Sequence, residues 1–321
     1  MLQTIPDAEC WGSECRISNV PEKEWRLVSE GGFVTSNYEL EIRLAHSALD
    51  GVHDMFMCRG SMDARMHERM MDLVRPIITA YPEAHWLTIG DDGQDGWMLR
   101  QRGAAAVTAS SLSDVRLQKA AELGFLTGIP VRALNAEHLN CADAAFDLVL
   151  CRQAYHHVRR APLAFYEFMR VSRRGFVLIE PIEGQRRPLE FIRALAKMAL
   201  RHRSPIYDLF EPAGNFIYRV SEHDVFRMLT ALEVPWFAIK TFNTFYLSWL
   251  AALPRSSLIA RAIFNLGIGL QDFLCLCRLM NPGLCIIFVP TEQDPQRVRE
   301  ALERARFRIV STPKNPYATG Q

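Results

Sequence analysis

The feature that most constrains this chain is the run from Trp86 to Pro181, where short apolar segments alternate with helical ones. Trp86–Ile89 reads as a strand that runs into glycine. A helix is expected over 96–102, a second strand over 104–109, a helix over 114–123 and a third strand over 131–134. The fourth strand, FDLVLC at 146–151, is almost wholly apolar, as a strand covered on both faces must be. A helix over 161–171 and the strand GFVLIE at 175–180 complete the run. Strands alternating with helices imply right-handed crossovers and an open parallel α/β sheet.

Either side of this run the pattern differs. Residues 1–60 read as an N-terminal extension, with a hairpin expected about Glu30-Gly31-Gly32. Met66, Met70, Leu73, Val74 and Ile77 recur at helical spacing behind Ser61, an expected N-cap, and Pro76 should kink or end that helix near Arg75. The core is therefore taken as 61–181. Residues 182–283 read as a helical insertion that covers the substrate, with helices over 189–201, 221–232, 242–253 and 256–279. Residues 284–321 supply strands at 284–289 and 307–311, separated by a helix over 295–305, that complete the sheet.

Composition excludes some function classes. Of 321 residues, 49% are hydrophobic and 23% charged, and the net charge of +1 gives no whole-protein field toward nucleic acid. The eight cysteines form no CxxC pair and no zinc-ligand repeat, so no metal site is expected, and a reducing, cytoplasmic setting fits them. The first residues, MLQTIPDAEC, lack a signal-peptide pattern. Uncharged stretches such as 241–254 fall short of the roughly 20 residues that span a bilayer. The segment 189–203 is amphipathic and basic, which admits an ordinary surface helix or peripheral contact with a membrane, and the apolar helices near 242–279 suit a core or a homodimer face.

In open α/β sheets ligands bind at the carboxyl ends of the strands. Gly90-Asp91-Asp92-Gly93-Gln94-Asp95-Gly96 sits after the first strand, where glycines let backbone approach a ligand ahead of a helix N-terminus. Ser111 and Leu112 end the second strand about 20 residues on, where a ribose-binding residue belongs. Asn135-Ala136-Glu137 follows the third strand with an amide and a carboxylate suited to an adenine edge. Cys151 ends the fourth strand, and Tyr155-His156-His157 follows it at the same end of the sheet.

Taken together, these segments resemble the class I S-adenosylmethionine-dependent methyltransferase family, over about 86–181 and more weakly to 321. The resemblance implies a Rossmann-like, mostly parallel seven-stranded sheet with helices on both faces and a helical insertion after strand five. The last strand would be inserted antiparallel. It implies S-adenosylmethionine held by Gly90, Asp91, Gly93, Ser111, Leu112, Asn135, Ala136, Glu137 and Cys151. The expected activity is methyl transfer to an oxygen or nitrogen of a small-molecule or glycan-type acceptor. Proton removal falls to His156 or His157, with Tyr155 beside them. The chain departs from the family's pattern in its first motif: the acidic residue of the first strand is Thr88, the middle glycine of the loop is lost, the acidic ribose ligand is Ser111 and the adenine-side aspartate is Asn135. Asp91, Asp92 and Asp95 are placed to compensate. The alternative is a methyltransferase fold kept as a binding or partner subunit; a nicotinamide-dependent oxidoreductase is disfavoured by the lack of GxGxxG.

Overall fold

The computed structural model describes residues 36–317, apart from 48, 50, 58, 59, 186, 193, 194, 196–208, 211–215 and 294. The expected hairpin about Gly31-Gly32 lies outside the described residues, as does most of the helix expected over 189–201. Eight strands form one sheet: β1 (His85–Ile89), β2 (Ala106–Ser111), β3 (Val131–Ala133), β4 (Phe146–Arg152), β5 (Ser172–Pro181), β6 (Trp236–Phe242), β7 (Leu284–Pro290) and β8 (Arg308–Ser311). Their order is β3-β2-β1-β4-β5-β7-β6-β8. The first five are parallel. β7 enters between β5 and β6 antiparallel to both, and β8 pairs antiparallel with β6 at the edge.

The strand count corrects the expected seven, and two assignments shift with it. The sixth strand is β6, inside the segment read as wholly helical. Its sequence WFAIKTF is aromatic and β-branched, which suits a pleated, buried surface, and Pro235 just before it cannot continue a helix. The 284–289 run, expected as the sixth strand, is the inserted antiparallel one, and the 307–311 run is the added edge. The helix expected from Phe242 is reduced to one turn, because Phe242 still belongs to β6.

Eleven helices are described in full: α1 (Ser36–Ser47), α2 (Gly51–Met57), α3 (Met62–Asp72), α4 (Arg75–Ala80), α5 (Gln94–Gln101), α6 (Val115–Glu122), α7 (Ala161–Val171), α8 (Glu222–Ala231), α9 (Ser248–Ala251), α10 (Leu258–Leu276) and α11 (Gln296–Arg304). Ser61 caps α3 as expected, accepting from the Ala64 N–H at 3.2 Å. Pro76 ends that helix and starts the next, taking a first-turn position in α4 where its missing N–H is harmless.

Two apolar layers cover the sheet. Trp86, Val107, Leu148, Leu150, Val177 and Ile179 face α2 to α6, α10 and α11. Leu87, Ile89, Val149, Cys151, Phe176 and Leu178 face α7 and α8. Alternate residues of one strand serve opposite layers, so β4 is buried along its whole length. The two layers decide which chemistry meets at the carboxyl ends: Thr88 and Arg152 point into the first, Cys151 and Glu180 into the second. By length and composition α10, with Arg261 and Asp272 in it, is apolar enough to cross a bilayer, and only 22% of its apolar window is buried.

Candidate active site at the carboxyl ends of the strands

Gly90, at φ +67°, turns the chain out of β1. A Cβ there would lie 2.2 Å from the Cβ of Ala154, so the exit of β4 sits directly on this glycine. Gly93, at φ +107°, is the N-cap of α5, and a Cβ on it would press the Phe56 ring at 3.1 Å. The N-terminal helix α2 therefore covers the loop. Phe56 also stacks on Phe125 with ring centroids 4.4 Å apart.

Asp91 is the residue that shapes this loop. One carboxylate oxygen accepts from the N–H groups of Gly93 (2.7 Å) and Asp95 (3.0 Å). The other accepts from the Gly96 N–H (2.8 Å) and the Thr88 hydroxyl (2.7 Å). The carboxylate missing from Thr88 is thus supplied three residues later, and it closes the α5 N-terminus from inside. Burial, with Asp92 beside it, pushes the Asp91 carboxyl above the ordinary aspartate range against the pull of these donors.

A second carboxylate organises the exit of β4. Glu180, fully buried near the end of β5, accepts on one oxygen from the Ala154 and Tyr155 N–H groups, both at 2.9 Å. Its other oxygen meets His156 Nδ1 at 2.6 Å. A carboxylate only accepts, so Nδ1 carries a hydrogen. The His157 ring lies against it, with centroids 4.1 Å apart. The insertion returns here too, the Tyr218 N–H donating to the His156 carbonyl at 3.0 Å. Tyr155, expected beside the histidines, instead turns into the core against Phe168 and Tyr218, and burial drives its hydroxyl pKa far up. Cys151 is likewise fully buried, its thiol pushed up by desolvation and then by Glu180, with Sγ 4.0 Å from that carboxylate. Neither side chain faces the strand ends.

At β2 and β3, Ser111, Leu112, Asn135 and Ala136 lie half-buried. Asn135 Oδ1 accepts from the Glu137 N–H at 3.0 Å. Ser110, one residue before the predicted ligand, is buried and donates to the Thr88 carbonyl at 2.6 Å. Glu137 is taken up by protein: Arg160 donates its backbone N–H and its Nε to the two carboxylate oxygens at 2.7 Å each. Burial would raise that carboxyl, but hydrogen bonds from Tyr38 and Arg160 outweigh it and hold it below the ordinary range.

One cluster had not been anticipated. Arg152, buried at the end of β4, pairs with Asp95 at 2.5 Å and meets His67 Nδ1 at 2.7 Å. Burial pushes Asp95 up to about 7, partly offset by Arg152 and reinforced by Asp91 and Asp92. A charged residue closing an otherwise apolar strand was the only sequence signal for it. Among the described residues no group of three or more His, Cys, Asp or Glu is placed to hold a metal ion.

Residues 90–179, from the glycine loop to the end of β5, match the family model described as methyltransferase domain. No curated protein matches the sequence. Similar solved structures include a SAM-dependent methyltransferase of Methanosarcina mazei (16% identity, 68% of this chain and 97% of that one, TM-score 0.42). Others are the magnesium protoporphyrin IX methyltransferase of Synechocystis with bound SAH (14%, 83% and 93%, 0.42) and the 1,6-didemethyltoxoflavin N1-methyltransferase of Burkholderia thailandensis (13%, 82% and 93%, 0.44). These likenesses are too slight to argue from. Residues 90–179 thus carry a methyltransferase domain, set in a sheet in which β7 is inserted antiparallel between β5 and β6.

Proposed function

We propose that the protein moves a methyl group from S-adenosylmethionine to an oxygen or nitrogen of a small-molecule or glycan-type acceptor. In this reading His156 takes the acceptor's proton and Glu180 is its positioning residue. The observation that carries the proposal is the 2.6 Å contact between Glu180 and His156 Nδ1, which holds the imidazole in one orientation just past the carboxyl end of β4.

The residues at the strand ends fit the cofactor. Asn135 uses only its carbonyl oxygen on the protein, and Ser111 stands half-buried where a ribose hydroxyl would lie. Ser111 and Leu112 would hold the ribose, Asn135 and Ala136 the adenine, and the Gly90 turn the amino-acid end. When bound, S-adenosylmethionine would supply an electrophilic methyl on a sulfonium, open to in-line attack by the acceptor's lone pair with S-adenosylhomocysteine as the leaving group. Nε2 of His156 receives the hydrogen that the acceptor sheds. Glu180 keeps the ring in that tautomer and stabilises the imidazolium that forms. Lacking charge, the Ser111 contact is weaker than a carboxylate's by about 1–3 kcal/mol, tenfold or more in affinity.

One observation favours the second reading, a fold kept for binding alone: Asp91 already takes the loop amides of Gly93, Asp95 and Gly96. Calorimetric titration with S-adenosylmethionine and S-adenosylhomocysteine separates the two. Micromolar binding that Gly90→Arg abolishes is the expected result. No heat and no thermal shift at millimolar ligand would sink the transferase reading.

A further inference from the structure

We propose that the outer face of α10, with the apolar residues that adjoin its end, docks on an anionic lipid bilayer. This rests on the surface of the molecule and stands whether or not the transferase reading holds.

The inner face of α10 is fixed to the protein. Ala260, Phe264, Gly267 and Ile268 form the buried stripe, at i, i+4, i+7 and i+8. Gly267 is required there, since a Cβ would lie 2.5 Å from Cγ of the Phe245 ring packed on the helix. A surface helix fixed this way ordinarily turns polar side chains outward. Here the outward residues include Leu258, Ile259, Leu266, Leu270, Phe273 and Leu276, from 57% to 81% exposed, beside exposed Arg261, Asn265 and Asp272. The one acid on the helix, Asp272, accepts from the Asn243 side chain at 2.8 Å.

Residues 188–192 extend this surface. The Leu189 N–H donates to the Leu279 carbonyl at 3.1 Å, and the Asn281 N–H to the Glu190 carboxylate at 3.1 Å. These contacts bring exposed Phe191 and Ile192 beside the end of α10. Trp249 on α9 is also half exposed, an amphipathic ring of the kind that settles at a bilayer interface.

Charge selects the occupant. Arg261 and Arg278 are exposed near the two ends of α10. In sequence, residues 186–203 hold six Lys or Arg against one Glu, and residues 245–281 hold three Arg against one Asp. The whole chain is only +1, so the remainder of the sequence is net acidic, and the exposed cations described on this face are Arg261 and Arg278. A second copy meeting this face about a two-fold axis would set like charges together; an anionic bilayer complements them. Because the inner face is packed on the core, α10 lies in the interface along its length of about 28 Å rather than crossing the bilayer.

The test is flotation of the full chain with phosphatidylcholine vesicles and with vesicles of phosphatidylcholine and phosphatidylglycerol. The expected result is binding to the anionic vesicles, roughly tenfold weaker on the neutral ones and falling as salt rises. Leu266→Glu with Leu270→Glu should abolish flotation while leaving the circular dichroism unchanged, and Arg261→Glu with Arg278→Glu should remove the anionic preference. Should the leucine pair fail to fold, brominated acyl chains quench the fluorescence of the parent chain, and Trp249→Phe must reduce that quenching. A chain that floats with neither vesicle overturns the proposal. So does a dimer that Leu270→Glu splits in the absence of any vesicle binding.

Discussion

Replacing Glu180 by glutamine separates the two jobs of this carboxylate. Glu180 is fully buried and receives three donors: the Ala154 and Tyr155 N–H groups at 2.9 Å on one oxygen, and His156 at 2.6 Å on the other. Glutamine has the same shape, and its single oxygen still accepts from both backbone amides. Its NH₂ then falls on His156 Nδ1, which must accept, so the ring hydrogen moves to Nε2. The stability lost is the difference between a charge-assisted and a neutral hydrogen bond, about 1–2 kcal/mol. The base at Nε2 is lost, which should lower methyl transfer about 10²–10⁴-fold. Glu180→Ala instead orphans all three buried donors at about 1–3 kcal/mol each and leaves a cavity, for a total of at least about 4 kcal/mol. Urea unfolding measures the two losses, and ¹⁵N shifts of the imidazole report the tautomer without any need for an acceptor. If glutamine destabilises as much as alanine, or if the parent protein already carries its hydrogen on Nε2, the reasoning is wrong.

Three further outcomes follow from the same geometry. Gly90→Ala places a Cβ 2.2 Å from Ala154 in a left-handed turn, so unfolding should ease by about 2–4 kcal/mol in urea and cofactor affinity should fall with it. Asp91→Asn keeps one oxygen for two donors but turns an NH₂ toward the other two, at a cost of about 2–4 kcal/mol by chemical denaturation. Asp95, pushed to about 7 in the folded chain, adds stability that is fully present below the ordinary aspartate pKa and is lost as pH rises through about 7. The stability difference between the parent chain and Asp95→Asn should therefore shrink, by on the order of a few kcal/mol, between pH 4 and pH 7 in denaturant titrations.

What was legible in the sequence is what local pattern encodes. β4 and β5 announced themselves by unbroken apolar runs, Ser61 and Pro76 marked the bounds of α3 and α4, and the glycine loop lay at the carboxyl end of β1. β6 was hidden inside a helical stretch although its aromatic and β-branched residues favour a strand, since helical segments on both sides masked seven residues. The side-chain partnerships were harder. Glu137 with Arg160 and Asp95 with Arg152 join residues 23 and 57 positions apart, and nothing in periodicity links them. Thr88 looked like a lost carboxylate because position along the strand was the only guide, whereas Asp91 reaches back to the same place from the loop. Tyr155 was grouped with the histidines by adjacency, but its ring packs into the core against Phe168 and Tyr218.

The sheet ends on its two shortest strands, β3 with three residues and β8 with four. An edge this brief offers an incoming strand little backbone to pair with, and each carries an exposed arginine, Arg132 on one and Arg308 on the other. Arg308 is also tied to Glu222, which anchors the β8 border to the start of α8. The sheet is therefore closed to growth from both sides. Partial unfolding that frees β8 would uncover β6, the longer and more apolar border that β8 now blunts.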